Sequence, residues 1–230
     1  MESILNMATL FDIVGPIMIG PSSSHTAGAC RIGALAKKIL GEDVKEAKLY
    51  LHGSFTQTYT GHGTDKALIA GLLGFETFDP RLRNSFEIAK EQGLKFEIIP
   101  TTLEEAFHPN SVYIEASGEK NSINILASSI GGGLIELDKV NGIEVHYKGD
   151  YPTIAIVNKD VPGVISKVST IISDSGINIE NMSVTPQHEG ENKGYAIMIV
   201  SITGTLSKEL EEKIKSIADV KNFVFLDKLY

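Results

Sequence analysis

After the segment Lys148-Gly-Asp-Tyr-Pro152, apolar residues follow the strand period and the helix period in a fixed alternation that few folds accept. Thr153 to Asn158 reads as a strand. Val164, Ile165, Val168, Ile171 and Ile172 make the stripe of a helix ending near Gly176. Ile177 to Val184 and Tyr195 to Ile202 read as strands joined by a polar loop. Leu206, Leu210, Ile214 and Ile217 stripe a last helix, and Val220 to Leu226 closes as a strand. The order is βαββαβ.

That order is ferredoxin-like. It predicts a C-terminal domain over 151–230, with 148–152 as linker and a separate N-terminal domain over 1–150. In the N-terminal part, Ile32, Leu35, Ala36, Ile39 and Leu40 stripe a helix from Ser24 to Leu40, stopped by Gly41. Ala47 to His52 reads as a strand. Thr64 is placed to cap a second helix, with Asp65 in its first turn. Asp79-Pro80 starts a third, which Gly93 ends. Strands are expected at Phe96–Ile99, Val112–Ala116, Ile123–Ala127 and Ile143–Tyr147. Helices first and strands later give an α+β class rather than a regular βαβ array.

Chemistry concentrates at three turns. Gly20-Pro-Ser-Ser-Ser-His-Thr26 puts Ser22, Ser23, Ser24 and Thr26 hydroxyls at a helix start, where free N–H groups favour an anion. His25 adds a group that exchanges a proton near neutral pH. Arg31 would add positive charge from further along. The alternative is an ordinary serine-capped helix with a surface histidine. Gly61-His62-Gly63-Thr64-Asp65 repeats the pattern, with a capped turn as its alternative. The third turn, Asn158-Lys-Asp160-Val161-Pro162-Gly163, joins a strand to a helix and offers backbone N–H groups and two polar side chains to a small ligand, or serves only as a turn. Ser128-Ser-Ile-Gly-Gly-Gly133 predicts a tight loop but lacks the dinucleotide and P-loop fingerprints.

Other classes drop away. With 21 basic and 29 acidic residues the formal net charge is −8, and no basic block points to nucleic acid. No apolar run suits a membrane span, and Met-Glu-Ser-Ile-Leu-Asn-Met lacks the pattern of a signal peptide, so a cytoplasmic setting is expected. The single cysteine, Cys30, permits no disulfide or all-cysteine metal site in one chain, and packing suits it better than nucleophilic chemistry. His52, His108 and His146 show no compact metal-ligand spacing and read as structural.

Residues 11–149 resemble the β subunit of the bacterial iron–sulfur-dependent L-serine dehydratase. The resemblance rests on G-P-S-S-S-H-T-A-G at Gly20–Gly28, G-H-G-T-D-K-A at Gly61–Ala67 and S-I-G-G-G at Ser129–Gly133. Residues 153–230 resemble an ACT domain, with V-N-K-D-V-P-G followed by I-S-D-S-G-I-N-I. The resemblance implies an allosteric-substrate-binding-like N-terminal fold and conversion of L-serine to pyruvate and ammonia. It implies a [4Fe-4S] cluster held by an alpha subunit, with none bound by this chain alone. By the same resemblance His25 and Ser24 are catalytic, and Ser22, Ser23, Thr26, His62, Gly63, Thr64 and Asp65 bind substrate. Asn158, Asp160, Val161, Pro162 and Gly163 would bind an effector, with L-serine the candidate, and the ACT domain would pair two copies of the chain. The other readings are a non-catalytic amino-acid-sensing subunit and a free-standing ACT-linked sensor.

Overall fold

The computed structural model describes residues 16–106, 108–188 and 193–229. It forms two compact units, divided after His146.

The first unit is built on a mixed sheet of β1 (Glu46–His52), β2 (Lys95–Thr101), β3 (Ser111–Ser117), β4 (Ser122–Gly131), β5 (Leu134–Val140) and β6 (Ile143–Tyr147), in the order β2-β1-β3-β4-β5-β6. β1 and β2 run parallel, with Leu49 opposite Ile98, whereas β1–β3, β3–β4 and β4–β5 are antiparallel. Ala47, Leu49 and Leu51 of β1 alternate inward and are buried, as the strand period requires.

Among the described residues, four α-helices accompany the sheet: α1 (Ala29–Leu40), α2 (Ser54–His62), α3 (Thr64–Leu73) and α4 (Ser85–Glu91). The closest helix pair is α1 against α3, and glycine makes it possible. A Cβ on Gly71 would lie 2.1 Å from the Cys30 carbonyl oxygen, and one on Gly33 would lie 2.2 Å from that of Leu68. The two backbones therefore touch at Gly33 and Gly71, closer than side chains allow. Around this crossing Ile32, Leu35, Ala36, Leu68, Ile69 and Leu72 form a buried apolar layer.

Several local expectations are corrected. Residues Ser23–Gly28 form a π-type turn, so the α-helix begins only at Ala29. Thr64 is the first residue of α3, not its cap; Gly63, in the left-handed region at φ 68°, stands before it and offers no side-chain bond. Helix α2 and strand β5 were not expected at all. The glycine run fares better: Gly131, Gly132 and Gly133 all have positive φ and turn β4 back into β5. Asp79 caps its helix through Arg81 N at 2.9 Å, with Pro80 in the first turn, although that turn is 3-10.

The second unit has the expected βαββαβ order: β7 (Thr153–Lys159), α5 (Val164–Asp174), β8 (Ile179–Pro186), β9 (Tyr195–Ile202), α6 (Lys208–Lys215) and β10 (Val220–Leu226). Its antiparallel sheet runs β10-β7-β9-β8. Ile154, Ile156, Met198, Val200 and Ile202 pack with Val164, Val168 and Ile172 of α5 and with Leu210 and Ile214 of α6. The amphipathic stripes read from the sequence bury against one sheet, except Ile165, which is 48% exposed.

Candidate functional site

The α1–α3 crossing sets the first site, because each helix carries one of the histidine turns at its N-terminal end. Ser22 caps the π-type turn by accepting from His25 N at 3.1 Å. This leaves the His25 ring among hydroxyls. Its Nδ1 lies 3.0 Å from Ser24 Oγ and 3.4 Å from Ser22 Oγ, and its Nε2 lies 2.9 Å from Ser54 Oγ. The His62 ring sits beside it, with centroids 5.0 Å apart, and Phe55 packs edge-on at 5.5 Å. Burial, and then the neighbouring His62, hold the His25 pKa below the ordinary histidine value. Its imidazole is therefore poised as a neutral base at physiological pH.

Ser54 is the partner that sequence reasoning missed. It opens α2 directly after β1, and Gly53 makes the turn at φ 57° and ψ −122°, a combination essentially confined to glycine. Ser54 N donates to the Pro109 carbonyl at 2.7 Å, which anchors the helix start. The signal was present: Gly-Ser after a strand is the same grammar as the other two turns. His62 closes α2, so the second motif is a helix–helix junction rather than a loop.

Below the rings the groups are internal. Thr26 is 1% exposed and donates its hydroxyl to the His62 carbonyl at 3.0 Å, tying the two motifs together. Thr64 is fully buried and its Oγ1 has no hydrogen-bond partner. His62 Nδ1 is likewise buried and unpartnered. Asp65 is buried, accepts from Lys66 N at 2.7 Å, and has its carboxyl pushed upward by desolvation. Ser22, Ser23, Ser24 and His25 are the half-buried members. Ser129, from the S-I-G-G-G segment, lies against Gly28, where an added Cβ would come within 2.1 Å of its Oγ. That hydroxyl is also buried without a partner, as is Asn110 Oδ1. Buried groups without partners are costly, and each calls for an explanation such as a bound water, an ion or a catalytic role.

Other residues take structural posts. Arg31 donates to the Gly133 carbonyl at 2.6 Å and pins the glycine turn. His52 Nδ1 accepts from Leu103 N, and His108 Nδ1 from Asn110 N. Cys30 is 1% exposed, donates to the Phe75 carbonyl at 3.3 Å, and has its thiol pushed up to about 12 by burial.

The turn of the second unit has Gly163 at φ 94° before α5, with no side-chain cap. Asp160, Val161, Pro162 and Gly163 are exposed, while Asn158 is 3% exposed. Asn158 Nδ2 donates to the Lys159 carbonyl at 2.7 Å, but its Oδ1 is buried without a partner.

A histidine lodged between serine hydroxyls on one α+β unit, with a ferredoxin-like unit after it, defines a two-part protein carrying an ACT domain; residues 153–219 match that domain. The chain belongs to the serine dehydratase beta chain family, whose model matches residues 9–140. It is 43% identical over 209 residues to the L-serine dehydratase, beta chain, of Peptoniphilus asaccharolyticus, covering 90% of each chain. It is 37% identical over 214 residues to the probable L-serine dehydratase, beta chain, of Bacillus subtilis (strain 168), covering 92% of this chain and 94% of that one. A weaker likeness, 26% over 227 residues, links it to the D-3-phosphoglycerate dehydrogenase of Methanocaldococcus jannaschii, spanning 98% of this chain and 41% of that enzyme. Among the described residues, no helix is long and apolar enough to cross a membrane.

Proposed function

We propose that this chain supplies one side of the active site of an L-serine dehydratase, completed by an alpha chain that carries the [4Fe-4S] cluster. The observation that carries the reading is His25 held between Ser24 and Ser54 inside the motif shared with the family.

The residues of this chain do not fit an iron–sulfur cluster. Cluster ligation needs thiolates. The one cysteine is buried, hydrogen-bonded to a carbonyl, and held protonated. The cluster therefore belongs to the partner, and the work of this chain is binding and proton handling. With one ring nitrogen protonated, neutral His25 accepts at the other, and the adjoining hydroxyls fix its plane. A ring so oriented takes the proton that leaves the substrate α-carbon through the serine hydroxyl bonded to its accepting nitrogen, the hydroxyl passing on its own proton as it receives the new one. Ser22 and Ser23 present hydroxyls and N–H groups at a helix start, suited to the substrate carboxylate. Thr26, Thr64, Asp65 and His62 support this surface from beneath, and Gly63 gives the close junction between α2 and α3.

In the second unit, the Asn158–Gly163 turn would take an amino-acid effector, L-serine being the candidate. The unpartnered Asn158 Oδ1 and the open N–H groups of α5 support this. Edge strands β8 and β10 offer a route for pairing two ACT domains. The cytoplasmic setting follows from the same reading.

Co-expression with a cysteine-rich alpha chain, anaerobic purification and a pyruvate assay test the proposal. The two chains should co-purify and turn over, while this chain alone should bind no cluster and form no pyruvate. Turnover by this chain alone, or failure to associate with any dehydratase alpha chain, would overturn it.

A further inference from the structure

The β5–β6 hairpin brings together residues that their sequence spacing kept apart. Glu136 and Asp138 stand two apart on β5, where a bulge shifts the pairing with β4, and His146 lies on the neighbouring strand β6. One donor atom from each lies within 4.8 Å of the others. His146 Nδ1 and Glu136 Oε1 are 3.8 Å apart. None of these three residues has a part in the function proposed above.

We infer that Glu136, Asp138 and His146 form a site for a divalent cation of the zinc class. Four observations support it. Asp138 is 4% exposed, so its carboxylate is not an ordinary surface charge. A buried carboxylate beside a second one is costly to ionise, so it either stays protonated or takes a cation as partner. The Ser128 hydroxyl, Glu136, His146 and His108 act on Asp138. Lys139, next in sequence, is engaged with Glu105 at 2.7 Å and Glu144 at 3.6 Å.

Secondly, Asp138 is aimed. Its Oδ2 accepts from Ser128 Oγ at 2.9 Å, Ser128 is 2.8 Å from Ser111 Oγ, and Ser111 donates to the His108 carbonyl at 2.6 Å. The Ser128 bond fixes a ligand carboxylate as orienting hydrogen bonds do around bound metals. Thirdly, His146 has φ 46°, outside the range favoured by a non-glycine residue. Strain of this kind persists where the surroundings demand a particular side-chain direction, and it clusters at binding sites.

Fourthly, the geometry is nearly closed. Ligand atoms about 2.1 Å from a zinc ion are about 3.4 Å from one another. Small side-chain rotations close the present separations. One imidazole with two carboxylates suits zinc, cobalt or manganese better than calcium or magnesium, which prefer oxygen throughout. Three protein donors leave a position for water.

The test uses the full chain, stripped with a chelator and titrated calorimetrically with zinc; cobalt substitution reports the geometry by visible absorption. One equivalent should bind, and Asp138→Asn and His146→Ala should each weaken it by more than tenfold. Ser128→Ala should weaken it by about tenfold through the lost orienting bond. His25→Ala should leave it unchanged. Circular dichroism checks that the variants fold; should Asp138→Asn fail to fold, His146→Ala decides, because that side chain is 56% exposed. Absence of saturable binding at sub-millimolar zinc, or binding lost in His25→Ala and retained in His146→Ala, would overturn the inference. The pyruvate assay plays no part, so this outcome and that of the proposed function are separable.

Discussion

Gly71→Ala tests whether the helix crossing positions the active-site turns. Ordinary contact begins near 3.4 Å, whereas the new Cβ would meet Cys30 O at 2.1 Å, Ala34 N at 2.5 Å and Gly33 Cα at 2.8 Å. All three atoms are backbone of α1, so rotamer changes give no relief. The carbonyl must retreat by about 1.3 Å, and helix α1 must move with it. Overpacking of this kind costs about 1–3 kcal/mol, and separating two packed helices by about 1 Å forfeits a further part of their dispersion energy. Against that stands a gain of about 1 kcal/mol from replacing glycine by alanine within a helix. The net expectation is a loss of about 2 kcal/mol, seen as a fall in Tm of about 5 °C. Gly61→Ala is the comparison. Gly61 lies within α2 and a Cβ there meets nothing within 4 Å, so the same propensity gain appears with no clash. Scanning calorimetry of both variants separates the terms. Equal Tm values for Gly71→Ala and Gly61→Ala would refute the backbone contact, and with it the account of how His25 and His62 are brought together.

His25→Asn should cut kcat/KM of the assembled enzyme by about 10²- to 10⁴-fold, the range for a lost general base, at equal cluster loading. In the parent enzyme the acid limb of kcat/KM should fall below the ordinary histidine value, since the free-base form of His25 persists as pH drops. His62→Gln should shift that limb upward by removing the second of the two causes. The stability counterpart has the matching sign: the unfolded chain binds the His25 proton first, so the native state weakens as pH falls through the unfolded histidine value toward the lower folded one. Cys30 should resist iodoacetamide in the native chain at pH 8 and react on unfolding, because its thiol is buried with a pKa of about 12. Calorimetric titration of the full chain with L-serine should show saturable heat that Asp160→Ala reduces, measured without the alpha chain so that turnover does not intrude.

Where periodicity is clean, the sequence is easily read. Strand β9 begins and ends where alternation puts it, and the stripe of Val164, Val168 and Ile172 faces the core of its unit. Helix α2 escaped because Ser-Phe-Thr-Gln-Thr-Tyr-Thr-Gly-His has one buried residue, Phe55, and is rich in β-branched threonine. It is held by its ends instead, through Gly53, Pro109 and the junction at Gly63. Strand β5 escaped because Glu136, Asp138 and Lys139 interrupt its apolar run. Missing it hid the carboxylates that face His146. The apolar stripe of α1 predicts that it packs, but not how closely it meets α3, since Gly33 and Gly71 matter for what they lack.

The composition of the serine–histidine site bears on why it needs a second chain. An amino-acid substrate carries a carboxylate, yet the groups around His25 are hydroxyls, a second imidazole and a phenyl ring. Arg31, the cation nearest in sequence to the motif, gives a hydrogen bond to the Gly133 carbonyl. Hydroxyl and N–H donors orient a carboxylate but provide only part of the stabilisation of a full countercharge. Under the function proposed above, the remaining countercharge would come from the alpha chain. The buried unpartnered atoms of His62, Thr64 and Ser129 lie beneath this surface and add to the cost of holding the site in its present form.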